Sequence, residues 1–92
     1  MEIKENVAYW CKTEELAKEF LKECERQQIK WHSGKIATSQ TYWEYYNEKT
    51  CYYKSRNSLY FAGRIFCQLN GMKIIKYKGE INNDKTRNTG TN

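Results

Sequence analysis

The sequence of 92 residues contains no proline, only one histidine and no long apolar stretch. No apolar run approaches the roughly 18–20 residues that a membrane-spanning helix needs. Residues 1–12 also lack the apolar centre of a secretion signal. We therefore expect a protein that does not enter a membrane and that works in the cytoplasm.

The cysteines show none of the spacings that mark structural zinc sites. Cys11, Cys24, Cys51 and Cys67 lie at least 13 residues apart, whereas a zinc knuckle needs a C-x-x-C pair. A disulfide framework is disfavoured because no secretion signal is present. We expect the cysteines to be small buried apolar residues; a zinc site that includes His32 is the alternative.

Groups that could carry catalysis are few and scattered. His32 is the only imidazole, and no motif places it beside a cysteine or an orienting carboxylate. Seven of the eleven acids precede residue 29, mostly on the polar side of a predicted helix. The sequence therefore predicts a protein that is not an enzyme and that carries no cofactor and no metal.

Cations and aromatic rings are concentrated in the second part of the chain. Through Gln28 there are five basic and seven acidic residues, and after it there are eleven basic and four acidic residues. Cations beside rings suit an anionic partner that carries π systems, such as a nucleotide or a nucleic acid. Alternatively, the lysines only keep a small β-rich surface soluble and its edge strands unpaired.

The hydrophobic pattern predicts one domain over residues 1–81 and a disordered polar tail over residues 82–92. Thr13 is a candidate N-cap for a helix over residues 14–28. Within that helix, Leu16 and Phe20 lie on a single apolar stripe.

Short β-prone segments surround the helix, and a second, shorter helix is favoured near residues 62–70. The predicted order is β-α-β-β-β-α-β. This order predicts an α+β fold in which a small, mostly antiparallel sheet carries the long helix on one face. The β-prone segments are residues 7–12, 29–31, 50–54, 59–61 and 72–78.

Residues 31–35, Trp-His-Ser-Gly-Lys, form a candidate anion-binding turn. Gly34 allows close approach of the backbone, Ser33 and nearby amides could bind phosphate oxygens, and Lys35 adds positive charge. Trp31 could stack on a base. The alternative is a plain hairpin turn with Trp31 in the core.

The rings between residues 42 and 61 exceed what so small a core can bury. Tyr52 and Tyr53 must point to opposite faces of a strand, so only one of them can enter the core. Exposed rings beside cations would form a ligand site, whereas rings packed against a sister subunit would give the homo-oligomer that we also expect. The predicted ligand-binding residues are Trp31, Ser33, Gly34, Lys35, Trp43, Tyr53, Lys54, Arg56 and Arg64.

Several motifs resemble a group of small phage and prophage proteins. Over roughly residues 7–78, the shared motifs are K-T-E-E before the helix, W-H-S-G, T-C-Y and N-G-M-K-I-I. The chain departs from the group at residues 27–29, where Gln-Gln-Ile replaces a glycine and an aromatic residue.

The resemblance implies a phage accessory protein that counters immunity inside the infected host cell. Such a protein would sequester a nucleotide immune signal, which is the function we expect. Alternatively, it would inhibit a host defence protein in the manner of anti-CRISPR proteins, or bind nucleic acid.

Overall fold

The computed structural model describes residues 1–79, so the predicted tail over residues 82–92 lies outside the described residues. The predicted α+β class and the order β-α-β-β-β-α-β are confirmed. Three short 3-10 turns lie between the second and third strands. The elements are β1 (Val7–Trp10), α1 (Glu14–Arg26), β2 (Lys30–Trp31), β3 (Thr50–Ser55), β4 (Ser58–Gly63), α2 (Arg64–Leu69) and β5 (Lys73–Lys76).

The five strands form one mixed sheet in the order β2-β4-β3-β1-β5. The centre is antiparallel, because β3 runs opposite to both β1 and β4. The two outer pairings, β1 with β5 and β2 with β4, are parallel. Parallel edges arise because both helices are crossovers that connect strands of the same direction.

The two helices lie on opposite faces of the sheet, which we call the α1 face and the α2 face. Tyr9 and Tyr52 point into the core cluster under α1, whereas Ala8 and Cys51 pack with Cys67 of α2. Parallel crossovers are almost always right-handed. Since α1 leads toward the β2 edge and α2 leads back toward the β5 edge, two right-handed crossovers must cover opposite faces.

Helix α1 forms where its local signals predict it. The hydroxyl of Thr13 accepts a hydrogen bond from the backbone amide of Leu16 at 3.2 Å, which satisfies one free donor of the first turn. The ring of Phe20 is fully buried and lies 5.1 Å from that of Tyr9 and 5.8 Å from that of Tyr52. Burial of such a side chain contributes about 1.5–3 kcal/mol.

The hairpin between β3 and β4 is closed by Arg56 and Asn57, whose φ angles are 53° and 61°. Positive φ at both central residues is the type I′ geometry that fits the twist of adjacent strands. The carboxylate of Glu5 accepts hydrogen bonds from both turn amides, at 2.8 Å from Arg56 and 3.0 Å from Asn57. These backbone hydrogen bonds, that of Asn57 first, lower the pKa of Glu5.

All four cysteines are buried and free, which confirms the expectation that they pack as small apolar side chains. Burial raises the pKa of Cys24 and of Cys51 to about 12, so these thiols stay neutral at physiological pH. Within residues 1–79, no three histidine, cysteine or acidic side chains are placed to hold a metal ion.

No helix in residues 1–79 combines the length and the apolar character needed to cross a bilayer.

Candidate functional site

Aromatic rings are more numerous than the core can bury, as the sequence predicts. Of the fourteen rings, five are buried, six are partly buried and three are exposed. The rings cannot all enter the core under α1, because neighbouring residues of a strand point to opposite faces of the sheet. The buried rings belong to Tyr9, Phe20, Trp31, Tyr52 and Tyr77.

Trp31 is one of the buried rings, which leaves little of its surface for the predicted stacking on a base. Its side chain is 5% exposed, and its indole nitrogen donates a hydrogen bond to the carbonyl of Ala37 at 2.9 Å. The ring packs edge-on against Tyr42 at 4.7 Å and Phe61 at 6.2 Å. The indole therefore serves the core under α1.

The segment after Trp31 is a closed turn and Trp31 lies in the core, as the alternative predicts, but 3-10 turns and not a second hairpin strand follow it. The amide of Gly34 donates to the carbonyl of Trp31 at 2.7 Å, and the amide of Trp31 donates to the carbonyl of Lys35 at 2.9 Å. The amide of Lys35 lies 3.5 Å from the hydroxyl of Ser33. These donors already have partners within the turn, which argues against an anion cradle here.

The remaining predicted ligand residues are divided between separate regions. Trp43 is half-buried and packs on the core under α1, and Lys54 belongs to the same face because it alternates with Tyr53. Arg56 lies in the β3–β4 hairpin turn. The nine predicted residues therefore do not form one site, because neighbours in a strand point to opposite faces. Tyr53 and Arg64 both lie on the α2 face.

On the α2 face, three rings from adjacent strands form a stacked ladder. His32 and Tyr60 have ring centroids 5.3 Å apart, as do Tyr60 and Tyr53, with interplanar angles of 27° and 16°. The Tyr60 hydroxyl is also 3.0 Å from Nδ1 of His32. These rings stack on one another, so the surfaces between them are not open to a ligand. The ladder therefore contributes to stability and offers little free surface for stacking.

Trp10 on the same face holds two cations. The guanidinium of Arg64 lies 4.4 Å from the centroid of the Trp10 ring, and Nζ of Lys76 lies 5.6 Å from it. The indole nitrogen donates to the carbonyl of Glu48 at 2.7 Å, which fixes the ring. A cation over an indole contributes about 0.5–1 kcal/mol at an exposed site.

A cleft of about 410 Å³ lies on the α1 face beside edge strand β5. We call it the lysine cleft, because four lysines line it. Among the described residues that line it, Glu2 is the one carboxylate. Val7 and Ile75 add apolar surface, and the nearly buried Tyr9 and Tyr77 form its inner wall. The four lysines are Lys4, Lys73, Lys76 and Lys78.

Long-range pairing assembles the lysine cleft. The parallel register aligns Val7 with Lys73 and Tyr9 with Ile75, and the amide of Lys4 donates to the Tyr9 hydroxyl at 3.0 Å. The N-terminal segment and β5 thus lie side by side although they are far apart in the sequence. The pattern of residues 72–78 predicts a strand, but nothing in the sequence indicates which strand it pairs with.

No protein-family model matches the chain, and neither a curated protein nor a solved structure is found to be similar to it. The lysine cleft and the exposed outer surface of helix α2 are therefore the two features that bear on function.

Proposed function

We propose that this protein binds and sequesters a small anionic ligand of the nucleotide class, as a phage accessory protein that counters host immunity. The observation that supports the proposal is the lysine cleft, whose lining combines apolar surface with four lysines and one carboxylate; the ammonium of one of these lysines, Lys76, lies over Trp10 on the α2 face. Its volume of about 410 Å³ falls within the roughly 300–1,000 Å³ of small-molecule sites.

The lining favours a ligand that joins phosphate to a ring system. Lys4 and Lys73 supply ammonium groups, which attract phosphate as compact charges and tolerate several phosphate geometries. One such pair at 4 Å contributes about 1 kcal/mol in water and about 4 kcal/mol in a partly screened site. Val7 and Ile75 offer apolar contact to a base or ribose, so charge alone does not define the ligand.

Binding without turnover is the activity that this lining supports. Among the described residues that line the cleft, Glu2 is the one carboxylate and there is no imidazole or thiol. The hydroxyl of Tyr9 already accepts a hydrogen bond from the backbone amide of Lys4. These groups can hold an anion, and sequestration needs nothing further.

Isothermal titration calorimetry with a panel of ligands tests the proposal. The panel comprises cyclic and linear dinucleotides, ADP-ribose derivatives and mononucleotides, with inorganic pyrophosphate as a control for charge alone. We expect one nucleotide class to bind at least tenfold more tightly than pyrophosphate, a difference of about 1.4 kcal/mol. No measurable binding by any nucleotide would overturn the proposal.

Paired variants locate the site. Lys4→Gln combined with Lys73→Gln should weaken binding by about tenfold or more, because two of the cleft's cations are removed. Lys30→Gln is the matched control, since Lys30 is an exposed lysine on edge strand β2, at the opposite end of the sheet. Equal loss in the control would show that binding depends on overall charge and not on the cleft.

The homo-oligomer stays a prediction. Native mass measurement of the protein purified from cells tests it, because the mass reports the number of subunits and any retained nucleotide together.

A further inference from the structure

Helix α2 turns its large apolar side chains outward. Ile65, Phe66 and Leu69 are 62%, 50% and 82% exposed, although their i, i+1, i+4 spacing is that of a buried stripe. The buried side chain of the helix is Cys67. Contiguous exposed apolar side chains of this kind are typical of interaction sites.

The sheet beneath α2 explains the inversion. Cys67 packs on Ala8, Cys51 and Ala62, which are all small and buried. These small side chains let the helix lie close to the sheet, and the larger Trp10, Tyr53, Met72 and Ile74 pack around them. The outward orientation of the apolar side chains therefore follows from the way α2 packs on the sheet.

Residues 49–79 around the outer face of α2 carry positive charge, and Glu48, whose carbonyl accepts a hydrogen bond from Trp10, lies at its border. From Lys49 to Gly79, every charged residue is a lysine or an arginine. Arg64 begins α2, and Lys76 lies on β5 with its ammonium over Trp10 on the α2 face. In a symmetric dimer through α2, the second copy would bring the same cations against these, so that mode of self-docking is disfavoured electrostatically.

We propose that Ile65, Phe66 and Leu69 of α2 dock into an apolar groove on a partner protein whose rim carries carboxylates. The apolar side chains would fill the groove, as in other helix-in-groove complexes. Arg64 and Lys76, whose cations lie over Trp10 on the α2 face, would face the acidic rim and would steer the encounter. A membrane surface fits less well, because one short helix with three apolar side chains offers little area for interfacial insertion.

Site-specific photo-crosslinking followed by reconstitution tests this proposal. A photo-crosslinking amino acid replaces Gln68, an exposed residue on α2, in the full chain expressed in host cells. The same replacement at Lys18 on α1 is the control. We expect a protein crosslinked from position 68 and not from position 18, and that protein is then purified and its Kd measured.

Charge reversal at one exposed position decides the chemistry of the partner. Leu69→Glu and Leu69→Lys both remove the apolar contact from a residue that is 82% exposed, so neither should alter folding, as far-UV circular dichroism would verify. We expect Leu69→Glu to weaken binding at least tenfold more than Leu69→Lys, since only the glutamate faces like charge. Tyr45→Glu, at a residue 64% exposed outside α2, should bind normally.

Four results would overturn the proposal. These are crosslinking only to a second copy of the chain, no crosslink specific to position 68, equal weakening by Leu69→Glu and Leu69→Lys, and co-sedimentation with phosphatidylserine vesicles that Leu69→Glu abolishes. The lysine cleft is tested separately by the Lys4 and Lys73 variants, so either proposal can fail without the other.

Discussion

Truncation of two phenylalanines tests how the two helices are packed. Phe20 of α1 is fully buried, and its ring contacts those of Tyr9, Tyr52 and Tyr77 at centroid distances of 5.1, 5.8 and 5.2 Å. Phe66 of α2 is 50% exposed. The same substitution at both positions removes the same atoms, so any difference in the free energy of unfolding reflects burial.

Phe20→Ala should lower the free energy of unfolding by about 3–5 kcal/mol, the usual cost of emptying a buried phenylalanine site. Small domains have about 5–15 kcal/mol in all, so this variant is close to the limit of folding. The milder Phe20→Leu should cost less than about 1.5 kcal/mol. Phe66→Ala should change stability by no more than about 0.5 kcal/mol, as exposed positions usually do.

Urea unfolding followed by circular dichroism and by tryptophan fluorescence measures these differences. Coincident transitions from the two probes support a two-state analysis. The measurement is repeated at several protein concentrations, because a subunit interface would make stability depend on concentration. A Phe66→Ala loss as large as that of Phe20→Ala would refute the packing described, since the outer face of α2 would then be buried, in the monomer or in an oligomer.

Three further predictions concern local contacts. Because the folded-state pKa of Glu5 is lowered, its contribution to stability is present above the unfolded pKa and is lost as pH falls through the folded value. Glu5→Gln should therefore flatten the acid side of a stability–pH profile. Thr13→Ala should cost about 1 kcal/mol in urea unfolding through the lost N-cap, and Thr13→Ser should restore most of it. Since burial holds the pKa of Cys24 and Cys51 near 12, both thiols should resist iodoacetamide at pH 8 until urea unfolds the chain; rapid native labelling, read by mass spectrometry, would contradict their burial.

Local signals were enough to place the elements along the chain. The Thr13 cap and the stripe through Phe20 predicted α1, and the β-prone residues 7–12 predicted β1. These signals act between residues a few positions apart, so they survive in the sequence itself. The ring surplus was also predictable, because it follows from counting rings against the capacity of a small core.

Pairings between distant segments were not predictable in the same way. The sequence indicated a strand over residues 72–78 but not that β5 would pair with β1 in parallel. Lys4 and Lys73 consequently gave no sign of a shared cleft, and cations near the rings, such as Lys54 and Arg56, were grouped into a site that alternation divides. Proximity in sequence predicts proximity in space only within one face of one element.

The side of α2 that faces the sheet is determined by the sheet residues beneath it and not by the apolar pattern of the helix. Its own pattern, Ile65, Phe66 and Leu69, is what a helix that buries those side chains would show. Directly beneath Cys67 the sheet presents Ala8, Cys51 and Ala62, and against these small side chains Cys67 packs closely. An inverted helix therefore requires two sequence features at once, a small residue on the helix and small residues on three strands. Because the apolar stripe is not needed to hold α2 in place, the same fold would stand with polar residues there, and their apolar character is better explained by a contact outside this chain.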